Sequence, residues 1–148
     1  MYKEIGGMKM SQTIRDIMSS DVASVTTLDS VIKAAQIMNT YNVGSVPVTD
    51  NGKIVGMLTD RDIVLRSVAS GGNLDNIQVK QVMTTNIVTA TADMDIHQAV
   101  DLMASKQIRR IPVVDNDQLI GIVSLGDMAV DNSYINEAGD ALSSISKN

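Results

Sequence analysis

The only two prolines of the chain, Pro47 and Pro112, stand 65 residues apart in similar phrases: Gly44-Ser45-Val46-Pro47-Val48-Thr49-Asp50-Asn51 and Arg109-Arg110-Ile111-Pro112-Val113-Val114-Asp115-Asn116. At that offset residues 13–64 slide onto 78–129 without a gap. Met18 then falls on Met83, Thr26 on Thr91, Ala34 on Ala99, Met38 on Met103, Gly56 on Gly121 and Asp62 on Asp127. Most other pairs are conservative, such as Ile17/Val82, Ile37/Leu102, Ile54/Leu119 and Thr59/Ser124. An ungapped match of this length identifies an internal duplication. In a chain of 148 residues each half is too small to bury a comfortable core alone, so the halves are expected to share one. The predicted parts are a frayed leader over 1–10, repeats over 11–69 and 78–130, a linker over 70–77 and a polar tail over 131–148.

Each repeat reads as β-α-β-β-α behind a short leading helix, at Ile14–Met18 and Val79–Met83. A strand (Val22–Val25; Ile87–Ala90) precedes a helix whose apolar residues Val31, Ala34, Ala35 and Met38, or Ile96, Ala99, Val100 and Met103, follow the i, i+3, i+4, i+7 spacing. Asp29 and Asp95 are the expected N-caps. A β-rich run (Val46–Thr49; Ile111–Val114) leads to Asn51-Gly52, a strong hairpin signal, or to its weaker counterpart Asn116-Asp117. The returning strand (Ile54–Thr59; Leu119–Ser124) ends where a helix begins (Asp60–Val68; Leu125–Val130). The fold class is therefore α/β in the broad α+β sense. Tyr134, Ile135, Ala138, Leu142 and Ile145 give the tail weak amphipathic character.

Composition narrows the function. Twelve Lys+Arg against seventeen Asp+Glu leave a formal charge of -5, the wrong sign for binding nucleic acid through its phosphates. Cysteine is absent and His97 is the one histidine, which removes thiolate chemistry and most zinc and triad arrangements. No run of about 18 apolar residues suggests a membrane span, and MYKEIGGMKM lacks a signal-peptide core. A cytoplasmic protein without nucleic-acid or membrane partners is expected. With three Tyr and no Phe or Trp, the recurring methionines read as core packing.

The most informative local motif is Gly-x-x-[Ser/Thr]-x-x-Asp at the second strand-to-helix junction of each repeat, Gly56 to Asp62 and Gly121 to Asp127. Two readings stand side by side. A carboxylate at a helix start can accept hydrogen bonds from vicinal ribose hydroxyls, while the hydroxyl and free N–H groups hold phosphate. Equally, [Ser/Thr]-x-x-Asp is a capping box that needs no ligand. Arg109 and Arg110 replace Gly44 and Ser45 of the first repeat; they read either as a phosphate clamp or as solvated surface charge. Adjacent strand residues point to opposite faces, so at most one of the two faces the core side. No base, nucleophile or metal set assembles into a catalytic centre, and a non-enzymatic protein is expected.

The duplicated phrases at 46–62 and 109–127, with the openings Ile14-Arg15-Asp16-Ile17-Met18 and Val79-Lys80-Gln81-Val82-Met83, resemble the CBS (cystathionine β-synthase) domain pair over about residues 13–130. The resemblance implies a Bateman module: two motifs packed through their sheets about a pseudo-two-fold axis, with clefts between them that take adenosine ligands such as AMP, ADP, ATP or S-adenosylmethionine. By position it makes Asp62 and Asp127 the ribose acids and Thr59 and Ser124 the hydroxyls beside them. Arg109 and Arg110 become the phosphate-reaching pair, with Arg61 in the same junction. Val25, Thr26, Ala90 and Thr91, with Val46-Pro47 and Ile111-Pro112, become the base-pocket lining. Gly44 and Ser45 leave the first repeat without the basic pair, so the two sites are expected to be unequal. The implied protein is a ligand sensor acting through a homodimer or a protein partner, the alternative being an interaction module with vestigial clefts.

Overall fold

The structure, a computed structural model, describes residues 3–5, 8–10, 12–129, 141 and 145. In chain order the elements are β1 (Lys3–Ile5), β2 (Met8–Met10), α1 (Ile14–Ile17), β3 (Val25–Thr26), α2 (Val31–Tyr41), β4 (Ser45–Asp50), β5 (Lys53–Thr59) and α3 (Asp60–Ile63). After α3 come a π-helical continuation over Val64–Val68 and a 3-10 turn at Leu74–Asn76. Then follow α4 (Val79–Val82), β6 (Ala90–Thr91), α5 (Ile96–Lys106), β7 (Arg110–Asp115), β8 (Gln118–Ser124) and α6 (Leu125–Ala129). The mixed α/β fold and the β-α-β-β-α order of each repeat agree with the sequence pattern.

Two compact units result, and each crosses the boundary between repeats. The first comprises Ala23–Ile87 with Asp117–Leu119; the second comprises Met1–Val22, Val88–Asn116 and Ile120–Asn148. The leading helix of each repeat therefore belongs to the unit built on the other. Hydrogen bonds show how. The first amides of α1 donate to the turn before α5, Ile14 N to Met94 O (2.9 Å) and Arg15 N to Ala92 O (3.0 Å). Those of α4 donate to the turn before α2, Val79 N to Asp29 O (2.8 Å) and Lys80 N to Thr27 O (3.0 Å). In this way the orphan donors of two very short helices are satisfied by tertiary contact.

Beyond these helices the backbone makes a second clasp. Ser19 and Ile122 exchange both N–H···O bonds at 2.9 Å, and Thr84 and Met57 do the same. The duplicated glycines lie under these clasps. A Cβ on Gly56 would stand 2.8 Å from Thr84 O and 2.9 Å from Met83 Sδ; one on Gly121 would stand 2.7 Å from Met18 Sδ and 3.0 Å from Ser19 O. The alignment of Gly56 with Gly121 and of Met18 with Met83 is thus one contact seen twice.

Within the first unit, β3 runs parallel to β4 (Val25 beside Val48, Thr26 beside Thr49), and β4 forms a hairpin with β5. Asn51 and Gly52 both have positive φ, 52° and 82°, as a two-residue primed turn requires. Its apolar core gathers Val25, Val31, Ala34, Met38, Val46, Val48, Leu58, Ile63, Val79 and Val82. The second unit repeats the plan: Ala90 beside Val113, Thr91 beside Val114, and β7 bonded to β8. Its turn, Asn116-Asp117, takes positive φ without a glycine, 49° and 65°. Its core includes Ile14, Ile96, Ala99, Met103, Ile111, Val113, Val123, Leu125, Met128 and, from the tail, Ala141.

Several expectations are corrected. β3 and β6 are two-residue strands beginning at Val25 and Ala90, because only those positions pair with β4 and β7. Within the leader Lys3–Ile5 and Met8–Met10 pair as an antiparallel ribbon, Lys3 opposite Met10; three-residue strands leave too short a pattern to read. Asp95 caps α5, but α2 is capped by Ser30, whose side chain accepts from Lys33 N. Asp29 accepts from Thr26 N (2.8 Å) and Lys33 Nζ (3.1 Å) instead. Burial works against its charge, yet these partners hold its carboxyl below the usual value. Of the tail residues named from the sequence, Ile145 packs partly buried on the second core; Tyr134, Ile135, Ala138 and Leu142 lie outside the described residues.

Three stability outcomes follow. Gly56→Ala should cost about 1–3 kcal/mol in urea denaturation, because the obstacle is backbone. Gly121→Ala should cost less, since the Met18 thioether can turn aside. Gln12 is 1% exposed and neither atom of its amide has a hydrogen-bond partner, while the residue 65 further on is the apolar Ile77. The nearly isosteric Gln12→Met should therefore raise stability by about 1–3 kcal/mol in the same measurement.

Candidate functional site

The two Gly-x-x-[Ser/Thr]-x-x-Asp motifs form matching strand-to-helix junctions. Ser45, at the start of β4, stands opposite Thr59 at the end of β5. The next amide, Asp60 N, donates to Gly44 O at 2.9 Å, as Leu125 N does to Arg109 O at 3.0 Å. In the first unit Asp62 N donates to Thr59 Oγ1 (2.9 Å) and Thr59 N donates to Asp62 Oδ2 (3.1 Å). The second unit reproduces this with Asp127 N to Ser124 Oγ (3.2 Å) and Ser124 N to Asp127 Oδ2 (3.0 Å). Both are reciprocal capping boxes, so this reading of the motif holds without any ligand.

Each carboxylate is only partly used by its cap. Asp62, with 13% of its side chain exposed, keeps Oδ1 at 3.8 Å from Arg66 Nε, while Thr84 Oγ1 reaches Oδ2 at 3.5 Å. Arg66 also donates from Nη1 to Val82 O (3.1 Å) and Met83 O (3.3 Å), the carbonyls that end α4. Arg66 and Thr84 were not among the residues singled out from the sequence. The Asp62/Arg66 spacing of four on a helix was the legible signal; Thr84 depends on the exchange of leading helices.

The two arginines diverge as strand alternation requires: Arg109 is exposed and Arg110 half-buried. Burial lowers the pKa of Arg110, and the negative field of Asp127 partly restores it. Arg110 thus stands close enough to the carboxylate of its own unit to feel it. Arg61 is exposed and, with Asp60, Val64 and Leu65, lines an open depression of about 560 Å³ that excludes Thr59 and Asp62 from its walls.

The remaining candidates are dispersed. Val46 and Pro47 follow Ser45, and Ile111 and Pro112 follow Arg110, so these four are close to the junctions in sequence. Val25 and Thr26 pair with Val48 and Thr49, three residues along β4 from Ser45 and Val46, or about 10 Å at the rise of a strand. Val25, Val46, Ala90 and Ile111 are at most 1% exposed, with side chains committed to the two cores; Thr26 and Thr91 are exposed. Among the described residues no three His, Cys, Asp or Glu side chains gather as metal ligands, and no helix is long and apolar enough to cross a membrane.

This duplicated junction, set in two units that exchange their leading helices, defines the chain's class. It belongs to the CBS domain family, whose model matches residues 14–68 and 79–130. It is 43% identical over 134 residues to the CBS domain-containing protein YhcV of Bacillus subtilis (strain 168), covering 90% of this chain and 95% of that protein. A crystal structure of Hypoxic Response Protein I with two coordinated zinc ions superposes with a TM-score of 0.75 at 33% identity, covering 80% of this chain and 98% of that one. The CBS domain pair of protein MJ0100, in complex with 5′-methylthioadenosine and S-adenosyl-L-methionine, gives a TM-score of 0.71 at 28% identity, covering 82% and 95%.

The caps should be measurable apart from any ligand. Thr59→Ala and Ser124→Ala should each lower stability by about 0.5–2 kcal/mol in urea denaturation. Asp62→Asn, which keeps an oxygen for Thr59 N, should cost less than Asp62→Ala.

Proposed function

We propose that this chain is a non-enzymatic regulatory module that binds an adenosine-containing ligand at one or both junctions and signals through a protein partner or a second copy of itself. The observation that carries the reading is the partly exposed Asp62 carboxylate. Its Oδ2 serves the helix cap, while its Oδ1 faces only the 3.8 Å contact with a half-exposed Arg66, an interaction weak enough for ligand hydroxyls to replace. The MJ0100 pair, with its two adenosine-derived ligands, supports the ligand class. AMP, ADP and ATP fit the same chemistry, with Asp62 or Asp127 on the ribose, Thr59 or Ser124 beside it, and Arg109 or Arg110 on phosphate. Because Gly44 and Ser45 bring no cation to the first junction, one site binds more tightly than the other.

A second reading is favoured by the completeness of both capping boxes: the module is an interaction scaffold whose junctions are structural. Thermal unfolding at fixed protein concentration separates the two, using AMP, ADP, ATP, S-adenosylmethionine and 5′-methylthioadenosine, with GTP as control. A ligand at 100 times its dissociation constant adds about 2.7 kcal/mol, a rise of about 5–10 °C. The expected result is a shift with at least one adenosine compound that Asp62→Ala or Arg110→Ala abolishes. The absence of any shift would leave the scaffold reading in place.

A further inference from the structure

Arg66 joins the first junction to α4 of the same unit. The helix after β5 widens where Arg66 stands: over the π-helical stretch Val64–Val68, Ala69 N donates to Val64 O (2.9 Å), five residues back. Side-chain hydroxyls support the widened turn, Ser67 Oγ donating to Ile63 O and Ser70 Oγ to Ser67 O (2.7 Å). Ser67 is fully buried. A π-turn of this kind is uncommon in helices and often falls at a functional position.

The guanidinium serves two partners at once. Nη1 donates to Val82 O (3.1 Å) and Met83 O (3.3 Å) at the end of α4, while Nε lies 3.8 Å from Asp62 Oδ1. A four-residue helix has no amides of its own for its last carbonyls, so an external donor there holds its end. The next residue is Thr84, whose amide and carbonyl exchange hydrogen bonds with Met57 on β5. Arg66 thus stands where the attachment of α4 can respond to the state of the Asp62 carboxylate. The second repeat does not keep this arginine: 65 positions on stands Asp131, whose ionised side chain has no N–H to offer a carbonyl.

We propose that Arg66 is a positioning residue that couples the Asp62 carboxylate to the end of α4. A ligand whose hydroxyls take Asp62 Oδ1 removes the carboxylate partner of the guanidinium. The side chain, with one restraint lost, then holds the α4 carbonyls less well. The coupling is reciprocal: Arg66 docked between Asp62 and α4 weakens the ligand, and the ligand loosens α4. Its size is bounded by the ion pair that is given up, which for an arginine with half its side chain exposed is about two- to five-fold in an equilibrium constant. The inference rests on the ligand reading of Asp62 and names its regulation, a report of occupancy to the leading helix of the second repeat.

Hydrogen exchange without ligand tests the link itself. Asp62→Asn keeps an oxygen for Thr59 N but removes the charge facing Arg66, and Arg66→Gln removes the cation. Asp62→Asn should speed exchange of the Thr84 amide about two- to five-fold, measured against the Ala99 amide of α5 as a gauge of global opening. Arg66→Gln should speed it at least as much, and the double variant should be no faster than Arg66→Gln alone. Calorimetry with 5′-methylthioadenosine, which has no phosphate for a cation to attract, tests the consequence; both proteins carry Asp127→Asn so that the first junction is read. Arg66→Gln should tighten binding about two- to five-fold, where a purely structural arginine would leave it unchanged or weaken it. Unaltered Thr84 exchange in Arg66→Gln, effects of the two substitutions that multiply, or binding that is unchanged or weaker would overturn the proposal. If the compound does not bind at all, the ligand reading of this junction fails, and the exchange result still decides whether Arg66 couples Asp62 to α4.

Discussion

Everything else in the fold is arranged around a close passage of backbone over backbone at Gly56 and Gly121. There a strand-like exit from one repeat's leading helix lies on the β5 or β8 strand of the other repeat, at a distance that a methyl group would obstruct. Helices of four residues have almost no stability of their own, because nucleation is costly and most of their amides lack an intrahelical acceptor. The turns before α2 and α5 supply those acceptors, and the clasps at Met57/Thr84 and Ser19/Ile122 secure the exits. The duplication is therefore more than two similar modules in series, since each unit is completed by a segment encoded in the other repeat.

That exchange also shapes the candidate site. Asp62 is held by a cap within its own junction, but Thr84 and the α4 carbonyls that engage Arg66 arrive with the exchanged helix. The first junction is thus wired to the leading helix of the second repeat by a short polar path. The second differs chiefly in charge: Arg110 is half-buried beside Asp127, where the first repeat has Ser45. Duplication preserved the capping geometry and let the electrostatics diverge.

The sequence made much of this legible. Residue periodicity located α2 and α5, Asn51-Gly52 located a primed hairpin turn, and the motif ending at Asp62 located a helix start. These features are local, and each is dictated by a few neighbouring dihedral angles or by which face of an element is apolar. The cap of α2 was missed by one residue because Asp29 and Ser30 both suit the role; Ser30 accepts from Lys33 N, while the Asp29 carboxylate is taken up by Thr26 N and Lys33 Nζ. At the other candidate positions, place in the sequence did not guarantee an accessible side chain. Val25, Val46, Ala90 and Ile111 carry no polar group to hold them at the surface and are drawn into the cores.

By itself the sequence determined the duplication, the order of strands and helices, the two Gly-x-x-[Ser/Thr]-x-x-Asp junctions, and the family to which the chain belongs. Each is written in local pattern or in the match of one half to the other. Only the tertiary structure decided which repeat each leading helix completes, what crowds Gly56 and Gly121, and that Arg66 and Thr84 reach Asp62. It also left Val64, Leu65 and Val68 of the first repeat exposed and gathered Leu125 and Met128 of the second in one apolar cluster with Ala141 and Ile145. Those outcomes depend on contacts between residues far apart in the chain, where neither periodicity nor propensity carries information.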